Sequence, residues 1–172
     1  MLVNNASVTG RDALGPVLSC APEHVDRVVD TNLKGTLYCS QAVARWMIEN
    51  KRGGSIVHIS SVGAYAAQEL ASVYCATKAA QVALAQSMAL EWAPYGIRVN
   101  CVAPGDIATE TSADAVSDLE SAGSSTRYLR ATPLGRRGLP REIGGAVAYL
   151  VSDDASFITG ATLRVDGGYL AY

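Results

Sequence analysis

Gly53-Gly54-Ser55-Ile56-Val57-His58-Ile59-Ser60-Ser61 is the stretch on which the fold turns. Residues 55–60 are mostly β-formers between glycines and a Gly-containing loop, which predicts a short buried strand. Upstream, Val25, Val28, Val29, Leu33, Leu37, Val43 and Met47 recur at threes and fours, so about 22–50 reads as one helix ended by Gly53-Gly54. Downstream, about 72–92 reads as a second long helix that stops near Pro94 and Gly96. Outward again, Leu2-Val3 is a strand stub that stops at Asn4-Asn5, and 97–102 is a strand closed by Pro104-Gly105. A helix at 140–151 and a strand at 161–165 complete the pattern, the latter followed by Asp166-Gly167-Gly168. Strands alternating with helices of this length imply right-handed crossovers and a parallel sheet. The predicted class is therefore α/β, a Rossmann-like doubly wound sheet, with 1–172 forming part of one domain.

Composition narrows the function. The 172 residues are 49% apolar and 17% charged, with a net charge of −2, which gives no electrostatic case for nucleic acid or an anionic membrane. No apolar run approaches the ~20 residues of a membrane span. Cys20, Cys39, Cys75 and Cys101 are far apart without a C-x-x-C pair, and His24 and His58 stand alone. Neither a disulfide framework nor a metal site is expected, and a reducing, cytoplasmic compartment fits. The expected partner is a small molecule.

Ligands of open parallel sheets bind beyond the carboxyl ends of the strands, and each of those ends is polar or Gly-rich. Tyr74 and Lys78 lie four apart on the second long helix and share a face. An ammonium beside a phenol lowers the phenol's pKa from about 10, making Tyr74 a proton donor or acceptor for a carbonyl/alcohol pair. The pair alone equally fits a surface tyrosine stacked on a lysine stem. Ser60 and Ser61, at a strand end, can donate to a substrate oxygen or simply cap a turn. Asn32 sits mid-helix, where its amide competes with the backbone and can expose a carbonyl or hold a water in a kink.

Five stretches resemble the short-chain dehydrogenases/reductases, in that family's order. They are Leu2-Val3-Asn4-Asn5-Ala6, Asp30-Thr31-Asn32-Leu33-Lys34-Gly35, Ile59-Ser60-Ser61 with Tyr74-Cys75-Ala76-Thr77-Lys78, Asn100-Cys101-Val102-Ala103-Pro104-Gly105, and the closing Gly160 to Gly168. The resemblance implies a tetrad: Tyr74 as general acid/base, Lys78 lowering its pKa and holding the nicotinamide ribose, Ser61 binding the substrate oxygen, and Asn32 holding a relay water. Cofactor contacts implied in the same way fall on Asn5, Tyr74, Lys78, Pro104, Gly105, Ile107 and Thr109. The implied chemistry is hydride transfer between NAD or NADP and a carbonyl or secondary alcohol. A substrate lid is implied at about 106–132, as is a homo-oligomer, dimer or tetramer. Reductases of acyl-carrier thioesters and dehydrogenases of sugars or small alcohols share these motifs.

Two departures qualify the resemblance. Ser7 stands where the family usually has Gly. The 16 glycines contain no pair spaced i, i+2, so the Gly-rich turn that cradles a pyrophosphate cannot be written from this sequence. Thr9-Gly10-Arg11-Asp12-Ala13-Leu14-Gly15 imitates such a turn without its spacing. The expectation is that Met1 falls inside the family's fourth strand, leaving strands 4-5-6-7 with one unpaired edge. The alternative to an enzyme is a catalytically incompetent fragment that acts at most as a self-association module. Tyr65, Gln68, Glu69 and Asp106 are expected near the site by chain order alone, and Arg136-Arg137 with Arg141 reads as solvated and without function.

Overall fold

The structure is a computed structural model and describes residues 1–109 and 132–171. Four strands, β1 (Leu2–Asn4), β2 (Gly54–Ile59), β3 (Ile97–Pro104) and β4 (Thr162–Val165), form one sheet in the order β1-β2-β3-β4. All three pairings are parallel, with Val3 opposite Val57, Val57 opposite Asn100, and Val102 opposite Leu163. The α/β expectation is met, with the strands running one or two residues differently from their predicted ends. Most of the expected lid lies outside the described residues.

The pleat sorts the core. Ile56, Val99 and Cys101 point to one face, where Ala44 and Met47 of α2 (Thr36–Glu49) and Ala85, Met88 and Ala89 of α3 (Ser72–Trp92) cover them. Val57 and Val102 point to the other face, against Leu150 of α4 (Pro140–Val151). Successive strand residues face opposite sides, so the Ile56-Val57 pair belongs to two cores at once. Backbones approach closely where Gly53 meets Gly96. A Cβ on Gly53, whose φ is +57°, would stand 2.7 Å from the Gly96 carbonyl oxygen, so this crossing needs glycine.

The predicted 22–50 helix is interrupted. α1 (Pro22–Val29) passes into a π-helical turn, Asp30–Gly35, before α2 begins. A wider turn of this kind takes a carbonyl out of the i+4 ladder, and Asn32, fully buried, sits inside it. Apolar periodicity could not show the break, because Val29, Leu33 and Leu37 keep a spacing of four across it.

Buried polar side chains tie these elements together. Asn4 Nδ2 donates to Ser40 Oγ at 2.9 Å, and the His58 ring lies between Ser40 Oγ (3.3 Å) and the Gln81 carbonyl (3.4 Å). Burial pushes His58 down to about 4, so the ring is neutral in the folded protein at neutral pH.

Candidate active site

The carboxyl ends of β1, β2 and β3 open into a cavity of about 360 Å³. Asn5, Ser61, Tyr74, Lys78, Pro104, Gly105, Ile107 and Thr109 all line it. Of the residues implied by resemblance, only Asn32 stands behind the wall. Gln68 and Asp106 also line the cavity, whereas Tyr65 and Glu69 do not.

Ser60 and Ser61 do different work. Ser60 Oγ donates to the Lys78 carbonyl at 2.8 Å, pinning β2 to α3. Ser61 Oγ accepts from the Gly63 N–H at 3.0 Å and caps a 3-10 turn at Val62–Ala64. An oxygen that accepts from a backbone N–H keeps its own proton to donate, and this one faces Tyr74.

Lys78 Nζ donates to the Ile59 carbonyl at 2.9 Å and stands 5.4 Å from the centre of the Tyr74 ring. Burial lowers Lys78 to about 8. Burial also pushes the Tyr74 phenol up, with the facing Ser61 and Thr9 side chains pulling part of the way back. Burial thus acts on the phenol in the direction opposite to the lowering expected of a neighbouring ammonium. A phenol held above its ordinary value keeps its proton at neutral pH.

Asn32, expected to expose a carbonyl or hold a water, is held by protein partners. Its carbonyl accepts Thr36 Oγ1 at 2.8 Å and Gln81 Nε2 at 2.9 Å. Its side chain grips Val8 twice, Oδ1 accepting the Val8 N–H at 2.7 Å and Nδ2 donating to the Val8 carbonyl at 3.1 Å. Thr9 and Gly10, part of the stretch that imitates a phosphate turn, follow directly and line the cavity.

Arg137 also departs from expectation. It forms a two-pronged pair with Asp106 (2.9 and 2.7 Å) and donates to the Ile107 carbonyl at 3.0 Å. Both Asp106 oxygens are thereby directed at a guanidinium. Arg136 pairs with Glu142, whose side chain also accepts the Leu139 N–H at the start of α4. Sequence reasoning missed Thr9, Tyr169, Gln81 and Arg137. Only Gln81 left a signal: it is a polar side chain on the buried stripe Thr77, Lys78, Gln81, Ala85, Met88, Ala89 of α3.

The nicotinamide end of a dinucleotide fits these residues. A Cβ on Gly105 would lie 2.8 Å from Asp166 Cα, so glycine keeps the β3 exit close against the β4 exit while Pro104, Ile107 and Thr109 form one wall. Lys78 and Tyr74 line the same cavity. A pyrophosphate finds no Gly-rich cradle in the 172 residues. Among the described residues, no cluster of three or more His, Cys, Asp or Glu could hold a metal, and no helix is long and apolar enough to cross a membrane.

Residues 1–170 match the family described as enoyl-(acyl carrier protein) reductase. The chain belongs to the short-chain dehydrogenase/reductase family. One relative within this family is L-rhamnose 1-dehydrogenase (NAD(P)(+)) of Azotobacter vinelandii, 41% identical over 168 residues, which are 98% of this chain and 63% of that protein. Glucose 1-dehydrogenase 2 of Bacillus subtilis is 36% identical over 172 residues, covering 100% of this chain and 64% of its own length. Among solved dehydrogenases, a gluconate 5-dehydrogenase from Burkholderia cenocepacia, in complex with NADP and tartrate, superposes with a TM-score of 0.88. It is 37% identical and covers 99% of this chain and 65% of that one. The chain thus spans somewhat under two thirds of the length of these short-chain dehydrogenases.

Proposed function

We propose that the chain carries the reaction centre of an NAD(P)-dependent oxidoreductase acting on a small polyhydroxylated alcohol or its carbonyl counterpart. The observation that carries this reading is the convergence of Ser61, Tyr74 and Lys78 on one cavity whose wall also contains Pro104, Gly105, Ile107 and Thr109. The sugar and polyol dehydrogenases among its relatives support the substrate class. Polar side chains on the cavity wall, among them Asn5, Thr9 and Gln68, suit hydroxylated ligands.

NAD or NADP, held by the Ile107–Thr109 wall and by Lys78 at its ribose, would supply the hydride donor or acceptor. Tyr74 gives its phenolic proton to the substrate oxygen in reduction and takes it back in oxidation. Ser61 donates a hydrogen bond to the same oxygen as charge builds on it. Lys78 balances the charge on the phenolate, and its lowered pKa keeps the ammonium's proton loosely held. Asn32 acts on the site indirectly, through Val8. Tyr38, Trp46 and Leu90 are exposed on α2 and α3, which supports a homo-oligomer.

The test is a spectrophotometric assay of the chain over a panel of sugars and polyols with NAD and NADP. Tyr74→Phe is expected to lower turnover roughly 100- to 10,000-fold, the usual range for a general acid/base. Equal turnover in wild type and variant would overturn the role of Tyr74. Self-association without any turnover would support the module reading instead.

A further inference from the structure

Gln81 is fully buried in α3, one turn beyond Lys78, and the reaction proposed above does not use it. Its Nε2 group donates at 2.9 Å to the Asn32 carbonyl and at 2.8 Å to Thr36 Oγ1. Thr36 Oγ1 donates to that same carbonyl at 2.8 Å. The π turn therefore releases a buried carbonyl, and two side chains close over it in a three-membered ring of hydrogen bonds. A carbonyl oxygen has two acceptor positions, and both are filled. The Asn32 side chain is equally committed, to Val8 on both sides of its backbone and to Thr77 Oγ1 at 3.3 Å. Val8 precedes Thr9, which lines the cavity and faces Tyr74.

We propose that Gln81 is a positioning residue: its carboxamide occupies the place of a water on the π-turn carbonyl and, through Asn32, fixes Val8 and the cavity wall beside Tyr74. A side-chain amide is covalently held and makes its hydrogen bonds without the entropy cost of immobilising a water. An unfilled buried carbonyl would otherwise destabilise the turn. Among the described residues Gln81 Oε1 has no hydrogen-bond partner, and the two bonds of Nε2 orient the amide.

Hydrogen exchange followed by NMR on the whole chain tests the clamp. In the wild type, both Gln81 Nε2 protons are expected to exchange slowly, and neither should show cross-relaxation from water. Gln81→Met keeps the shape and removes the donors. The Val8 amide should then exchange roughly tenfold faster or more, the effect of loosening one anchoring hydrogen bond, while amides of β2 and β3 keep their protection. A uniform rise across Val8 and the strands, or no change at Val8, would overturn the positioning role. If the variant does not fold, the wild-type measurement still decides, because fast exchange or a water contact at the Gln81 side chain overturns the clamp. The role bears on turnover only through the proposed function, and the two fail separately. Lost Val8 protection tests the clamp whatever the cavity binds, and absent turnover with an intact clamp counts against the function.

Discussion

At the residue scale, the Tyr74 phenol and the Lys78 ammonium are displaced by the same cause in opposite directions. Desolvation favours the neutral form of each, raising the phenol and bringing Lys78 down to about 8. A protonated phenol is ready to act as an acid at neutral pH, whereas oxidation of an alcohol needs the phenolate. The kcat/KM for alcohol oxidation should therefore keep climbing through the alkaline range, and that for carbonyl reduction should hold at neutral pH and fall as the phenol ionises. A pH profile in both directions checks this. An oxidation plateau already reached below about pH 7 would mean that the ammonium, not burial, sets the phenol. The Tyr74/Lys78 pair was legible in the sequence because four residues on a helix share a face. The sign of the shift was not, because burial is a property of the packed cavity.

Among the elements, the turn after β3 and the segment before α4 are joined by an ion pair as well as by backbone hydrogen bonds. Asp106 and Arg137 side chains are 18% and 34% exposed, and their contact is two-pronged. Beneath it the Gly138 N–H donates to the Asp106 carbonyl and the Ala108 N–H to the Gly138 carbonyl, both at 2.9 Å. Arg137→Leu should cost about 1–2 kcal/mol in urea unfolding, less than a fully buried pair because water still reaches the guanidinium. Combining it with Asp106→Asn should cost less than the sum of the two single variants. Strict additivity would show that the pair holds nothing. The same scale explains what sequence reading could not reach. Arg136 and Arg137 are adjacent and alike in sequence, yet one turns to Glu142 and the other to Asp106. Likewise Asn32 marked a kink through its residue type, but the partners that fill its carbonyl come from positions 36 and 81, and only folding brings 81 there.

For the whole molecule, alternation of strands and helices was enough to give a parallel sheet, and three of the five motif stretches send residues into a single mouth. The order β1-β2-β3-β4 puts the Asn5, Ser61 and Gly105 ends side by side, which is why widely separated stretches make one cavity. Sequence patterns could indicate which strand ends carry polar or Gly-rich residues. They could not indicate which cavity walls would be firm. The central claim is that this cavity holds a reduced nicotinamide against Tyr74, and fluorescence titration of the 172-residue chain with NADH tests it most directly. The account predicts a saturable signal with a Kd below about 1 mM, lost in Lys78→Met. No saturation at millimolar NADH, or binding indifferent to Lys78, would contradict it.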